Sequence, residues 1–334
     1  MLTGLKPTAT PHLGNYVGAI RPAQKLAQDP ANRVLFLIAD AHAVTTATER
    51  RTLIRLTQEA TAAWLACSVD SERTLILRQS DIPEIFELAW LLACVTAKGW
   101  MNRAHAYKAA VASNRERGAE NLDAGVNLGL YSYPVLMAAD IVLFGADLVS
   151  VGADQLQHVE ITRDIVARLN DTHDTRLSIP QALPAADAVV PGIDGRKMSK
   201  SYGNTIPLFA QPEAIHRAVS SIVTDSSPVD VPKVPETSTI FRIYREFARP
   251  EQTRALAARY GQGIGWGEAK AMLAALLDET LSEPRERFRT LMAEPQKISA
   301  QLERCAREAR ELARPRLERV RQAFGLYRRL HRSG

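Results

Sequence analysis

A chain of 334 residues is longer than one ordinary domain, and 46% apolar with 24% charged residues is the balance of a globular protein, so a large domain with a smaller partner is expected. No stretch approaches the ~18 uninterrupted apolar residues of a membrane span, and the start MLTGLKPT lacks the charged segment, apolar run and cleavage site of an export signal, which predicts a cytoplasmic protein with no membrane partner. The net charge of +5 gathers late, with ten Arg against four Glu in residues 301–334; a basic end suits an anionic partner, although a solvated Arg/Glu helix face, paired as Glu303 with Arg307, is the plainer account on composition alone.

In chain order, Leu2 to Gly4 reads as the end of a first strand and Val34 to Ala39 (VLFLIA) as a fully buried second. Glu49 to Ala66 carries Leu53, Leu56, Ala60, Ala63 and Trp64 at helical spacing, and Thr74 to Leu77 is a third strand. An apolar helical stretch runs from Phe86 to Val95. Pro134 to Leu143 and Gln155 to Leu169 are predicted helices, with a strand at Leu148 to Val151 between them. Strands alternating with helices predict an α/β fold with a doubly wound parallel sheet. Two irregular stretches follow, Asn170 to Gly195 and Asp225 to Thr237, the second punctuated by Pro228, Pro232 and Pro235, and both read as loops or hinges. Beyond them helices are predicted over Thr239 to Ala248, Glu251 to Tyr260 and Glu268 to Leu281, and on to Arg332 with interruptions.

Cys67, Cys94 and Cys305 are odd in number and far apart, which predicts reduced thiols in packed helices. The seven histidines form no His-x-x-x-His pair, so no structural metal site is expected. Trp64, Trp90 and Trp100 read as core or interface aromatics. No repeat is present.

Two motifs carry chemistry. Gly4 to Ile20, GLKPTATPHLGNYVGAI, leaves a strand through a turn and opens a helix at His12-Leu13-Gly14-Asn15. Helix N-terminal N–H groups attract phosphate, and Gly14 lets a flat base approach the backbone. The pattern is neither G-x-G-x-x-G nor a G-x-x-x-x-G-K-[ST] loop, so dehydrogenases and P-loop kinases recede. Lys197 to Ser201, KMSKS, sets two lysines and two hydroxyls on a loop after the irregular stretch. Lysines so placed can follow charge that moves onto a departing pyrophosphate.

HLGN together with KMSKS resembles the signature pair of the class I aminoacyl-tRNA synthetases. Tyr133 to Asp140 (YPVLMAAD) and Val149 to Glu160 (VSVGADQLQHVE) are similar to the amino-acid pocket of the tryptophan members, with the GxDQxQHxE form at Gly152 to Glu160, and the likeness runs on through Thr224 to Ser227. The resemblance implies a Rossmann-like catalytic domain over residues 1–195, a KMSKS linker at 196–210 and a helical anticodon-recognition domain over 211–334, whose last helix either touches tRNA or packs back on the catalytic domain. It implies a ligase that uses ATP, with Mg²⁺ as its companion, and tRNA(Trp) rather than DNA, working as a homodimer whose interface the Phe86 to Val95 helix and the segment to Tyr107 would supply.

Residue by residue, the resemblance makes Asp140 the acceptor of the indole N–H, with Gly4, Met137, Val149 and Val151 as walls and His42, Tyr133 and Gln155 at the ammonium and carboxylate. An indole has one donor and no acceptor, so one carboxylate distinguishes it from a phenyl ring, which would leave that carboxylate unpaired. Lys6, Pro7 and Thr8 would lie along ATP, with His12, Gly14 and Asn15 near its base and phosphates and Gly152, Ala153 and Asp154 at the ribose. Lys108 and the loop Lys197, Met198, Ser199, Lys200 and Ser201 would meet phosphates on closure; no metal ligands are implied. Ala9 stands where the family usually has Gly, so that turn lacks free access to positive φ; Leu2, Ser150 and Ala153 also depart from the usual residues. Tyrosine activation by the same site is the alternative within the class, separated by amino-acid-dependent exchange. A non-catalytic tRNA-binding paralogue is the alternative outside it, for which a lost His12, Lys197 or Lys200 would be the sign.

Overall fold

The computed structural model describes residues 1–46, 49–67, 74–184 and 190–326. Five parallel strands, β1 (Leu2–Leu5), β2 (Val34–Ile38), β3 (Thr74–Arg78), β4 (Leu148–Val151) and β5 (Gln181–Pro184), form one sheet in the order β3-β2-β1-β4-β5. The order reverses direction between β1 and β4, and a crevice at such a switch point is where open α/β sheets hold ligands.

Because side chains alternate across a strand, β2 feeds both faces of the sheet and is buried throughout. Phe36 and Ile38 join Ile76 and Trp64 in one core, which continues into the helices of the second half of the chain through Ile215, Phe241, Tyr260 and Leu273. Leu35 and Leu37 join Leu75, Leu77 and Val149 in the other, with residues of the helices Pro83–Val95, Leu128–Leu143 and Leu156–His173. The last helix, Pro295–Ala323, lies on this second core. Cys305, Ala309, Ala313, Leu317 and Val320 repeat near the helical period and are all buried, so a stripe of mostly small residues brings the helix close to the sheet. Arg310 pairs with Glu84 at 2.7 Å and Arg321 with Glu87 at 2.6 Å, while Arg33 pairs with Glu308. The i,i+4 pair on this helix is Arg304 with Glu308; Glu303 and Arg307 form no ion pair among the described residues.

Several features differ from the sequence reading. The helix expected to start at Pro134 starts at Leu128, where the Asn127 side chain caps it by accepting the Leu130 N–H at 2.8 Å. Proline favours a first helical turn, but here it sits inside. β5 falls in the stretch read as irregular: four residues, QALP, half-exposed and paired on one edge only, carry no strong strand signal. Cys94 is exposed, unlike Cys67 and Cys305. The predicted continuation to Arg332 ends at Ala323 for the described residues, and residues 327–334 lie outside them. Among the described residues no helix is long and apolar enough to cross a membrane.

Candidate active site

A cavity of about 580 Å³ opens at the carboxyl ends of β1 and β4. Gly4, which lines it, has no room for a side chain: a Cβ there would lie 2.7 Å from the Leu37 carbonyl oxygen of the neighbouring strand. Gly4, Lys6, Asn15, His42, Tyr133, Met137, Asp140, Val149, Val151, Gly152, Asp154 and Gln155, each anticipated from the sequence, line this one cavity.

The first motif opens a helix at Leu13 with His12 before it, and the Asn15 side chain reaches back to accept the His12 N–H at 3.0 Å. The following residues, Tyr16–Ile20, form a π-helical turn, a feature that concentrates at functional sites. His12 is buried, which pushes its imidazole down to about 4 and leaves it neutral at physiological pH, with Nδ1 unpartnered. Lys6 reaches Thr45 Oγ1 at 3.2 Å, and burial lowers its ammonium from the ordinary range. Ala9 accommodates its turn without positive φ; among described non-glycine residues only Asp174 and Arg176 adopt it. The departure at this position therefore leaves the loop unstrained.

The two motifs, far apart in sequence, are sewn together by backbone. The Leu13 N–H donates to the Ile206 carbonyl and the Leu208 N–H to the Pro11 carbonyl, both at 3.0 Å. Lys200 Nζ reaches the Thr8 carbonyl at 3.3 Å, and Met198 is buried near Gly14. Asn204 holds the loop's frame: its Oδ1 accepts the Ser199 N–H at 2.8 Å, and its Nδ2 donates to Asp194 at 2.7 Å and to the Lys197 carbonyl at 3.1 Å. A Cβ on Gly192 would collide with the Asn204 amide, so this glycine makes room for the bracket. Lys197, Lys200 and Ser201 are exposed. Lys108 is exposed on the helix His105–Glu116 and does not line the cavity, whereas Ala106 of that helix does.

Deep in the cavity, Asp140 is 2% exposed. His42 Nε2 lies 3.0 Å from its Oδ2, and Gln79 Nε2 donates to both oxygens at 2.8 and 3.0 Å. Burial pushes the Asp140 carboxyl up from its ordinary range, and the bonds from His42 and Gln79 oppose that push. A carboxylate offers about four acceptor positions, so one remains for a donor entering from the cavity. Met137, Val149 and Val151 supply the apolar surroundings.

Beside it, Tyr133 and Gln155 present polar atoms to the cavity, and behind them His158 joins the two. Tyr133 Oη is 2.6 Å from His158 Nε2, and His158 Nδ1 is 2.9 Å from Gln155 Oε1. Burial pushes the Tyr133 phenol up to about 12 and the His158 imidazole down to about 4, so both are neutral. Sequence reasoning assigned no role to Gln79, His158 or Asn204. His158 lies within the Gly152 to Glu160 run and Asn204 three residues past KMSKS; Gln79 follows the third strand with no local signal at all.

A slot with one buried carboxylate, apolar walls, polar atoms at its mouth and two lysine-bearing loops beside a helix N-terminus suits a flat ligand with one donor next to an anionic one. The family of tRNA synthetases class I (W and Y) matches residues 1–282. The tryptophan–tRNA ligase of Neisseria meningitidis is 48% identical over 327 residues, covering 98% of this chain and 97% of that protein. The corresponding ligase of Pseudomonas aeruginosa is 49% identical over 330 residues, covering 98% of this chain and 73% of that one. Among solved structures, tryptophanyl-tRNA synthetase from Campylobacter jejuni, complexed with ADP and tryptophan, superposes with a TM-score of 0.87 at 37% identity, covering 97% of this chain and 99% of that one.

Proposed function

We propose, from the premise that this chain belongs to the class I tRNA synthetases for tryptophan and tyrosine, that it is a ligase that activates L-tryptophan with ATP and transfers it to tRNA(Trp). The observation that carries the choice of amino acid is Asp140, a buried carboxylate with an acceptor position left over, in a cavity walled by Met137, Val149 and Val151. Tryptophan fits this slot with its indole N–H on Asp140, its ring against Gly4 and the apolar walls, and its ammonium at Tyr133 and Gln155, near His42.

ATP takes the adjoining space, with Lys6, Pro7 and Thr8 along it, His12, Gly14 and Asn15 at the helix N-terminus, and Gly152, Ala153 and Asp154 at the ribose. Mg²⁺ enters with ATP as part of that co-substrate; among the described residues no group of three His, Cys, Asp or Glu side chains is placed to hold a metal. A carboxylate oxygen of tryptophan attacks the α-phosphorus, the bond to the pyrophosphate oxygen breaks, and tryptophanyl-adenylate remains. A terminal ribose hydroxyl of the tRNA then attacks the acyl carbon and AMP leaves. No protein nucleophile is needed: Lys197 and Lys200, with Ser199 and Ser201 on the same loop and Lys108 on the helix His105–Glu116, stabilise charge as it moves to pyrophosphate.

Residues 1–195 make the catalytic domain, 196–210 the KMSKS linker and 211–334 the anticodon-recognition domain, whose helix Pro295–Ala323 packs back on the catalytic sheet. The protein acts in the cytoplasm as a homodimer. The helix Pro83–Val95 supports that pairing, since Phe86 at 41% and Trp90 at 71% exposure lie four residues apart on its outer side, in line with exposed Cys94. The test is ATP–pyrophosphate exchange with Trp, Tyr and Phe supplied separately. Exchange with Trp alone is expected; exchange with Tyr instead would transfer the protein to the tyrosine branch, and exchange with none would overturn the ligase reading.

A further inference from the structure

Four polar side chains beside the slot form a single chain of hydrogen bonds: Asp154, Gln155, His158 and Tyr133. Gln155 Nε2 donates to Asp154 Oδ2 at 2.8 Å, Gln155 Oε1 is 2.9 Å from His158 Nδ1, and His158 Nε2 is 2.6 Å from Tyr133 Oη. Their proton positions follow from what each group is able to do. A carboxylate only accepts, so the Gln155 amide must turn its NH₂ to Asp154 and its oxygen to His158. That oxygen also only accepts, so the single proton of the neutral imidazole sits on Nδ1. Nε2 is then bare, and the Tyr133 hydroxyl must donate to it. Each bond in the chain is donated toward the Asp154 end, and one N–H of the Gln155 amide remains beyond those bonds.

The geometry points to His158 as a positioning residue that turns the Tyr133 hydroxyl proton inward, so that its oxygen faces the cavity as an acceptor for the substrate's α-ammonium, and that holds Gln155 beside it by the amide oxygen; this rests on the tryptophan reading of the slot. Tyr133 and Gln155 line the cavity and His158 stands behind them, 1% exposed, its ring 4.9 Å from that of Tyr133 and nearly edge-on. With its proton turned inward, Tyr133 Oη offers only lone pairs to an entering ligand. The opposite imidazole tautomer would place N–H against the phenol oxygen, turn the phenol proton into the cavity and set donor against the ammonium's donors. One ring thus decides whether the mouth of the slot accepts a cationic amine.

The test uses His158→Phe, which keeps a ring and removes both nitrogens, and His158→Gln, whose amide oxygen retains an acceptor for Tyr133. Dissociation constants are measured by calorimetry for tryptophan, for tryptamine, which keeps the ammonium without the carboxylate, and for indole-3-propionate, which keeps the carboxylate without the ammonium. His158→Phe is expected to weaken tryptophan and tryptamine by about ten- to a hundredfold, the worth of a hydrogen bond to a charged group, while indole-3-propionate stays within about twofold. His158→Gln is expected to recover most of the tryptamine affinity. Equal weakening of tryptamine and indole-3-propionate in both variants marks a merely structural residue and overturns the proposal, as does unchanged tryptamine binding. Tryptophan-dependent exchange by the unaltered protein separates these failures from failure of the tryptophan reading itself, since its absence sinks both.

Discussion

Replacing Asp140 by Asn changes almost no volume but removes the ionisable charge and the ability of both oxygens to accept. Around the carboxylate stand Gln79 Nε2, facing both oxygens, and His42 Nε2 at Oδ2. An Asn has one acceptor oxygen and one NH₂, so at least one of these donors, or the indole N–H, meets another donor. Losing a hydrogen bond from the indole to a charged acceptor removes about 1.5–3 kcal/mol, which is about ten- to a hundredfold in affinity. The assay is competitive exchange kinetics with tryptophan against 3-benzothienylalanine, in which sulfur replaces the indole N–H. Wild type is expected to prefer tryptophan by that factor and Asp140→Asn to lose most of the preference. A preference that survives the substitution intact refutes the assignment, because no other residue is proposed to read that hydrogen. The same variant has a stability signature. Burial raises the folded pKa of Asp140 above its ordinary 3.8, so the folded state binds more protons than the unfolded one and the contribution of this group to stability declines as pH rises from there through the folded value. Thermal unfolding at pH 4 and pH 7.5 should show Asp140→Asn gaining on wild type at the higher pH.

Lys200→Ala removes the loop ammonium that reaches the Thr8 carbonyl; exchange kcat is expected to fall about a hundredfold or more, as for loss of a transition-state donor, with the tryptophan dissociation constant within about twofold by calorimetry. Leu317→Ala empties a buried site, 1% exposed, between the last helix and the sheet; denaturant titration should show a loss of about 2–5 kcal/mol.

Much of this was written in the chain. β2 was legible because six consecutive apolar residues, Val34 to Ala39, between Arg33 and Asp40 have few other destinations, and the Arg50–Cys67 helix because its apolar spacing holds for five turns. β5 was hidden because an edge strand needs only one partner, and QALP owes its pairing to β4, Leu148–Val151, rather than to its own propensity. Most slot residues lie in runs that carry a local pattern, Gly4 to Ile20, Tyr133 to Asp140 and Val149 to Glu160, and were legible there. Gln79 was not, since its role comes from meeting Asp140 across 61 positions, and nothing within a few residues of a glutamine announces a buried carboxylate. Asn204 likewise acts only once KMSKS and Gly192 have folded around it.

The last helix has a bearing on how the chain comes into being. Leu75 and Leu77 are covered on one side with the help of residues 305–320, more than two hundred positions later. During synthesis the central strands can pair early, yet that face of the sheet waits for residues 305–320 before it is shielded from water. Contacts of such long range close slowly and leave apolar surface open to other chains in the interval. A growing polypeptide with this layout therefore keeps the Leu75 and Leu77 face of its sheet open until a helix more than two hundred positions downstream has been made.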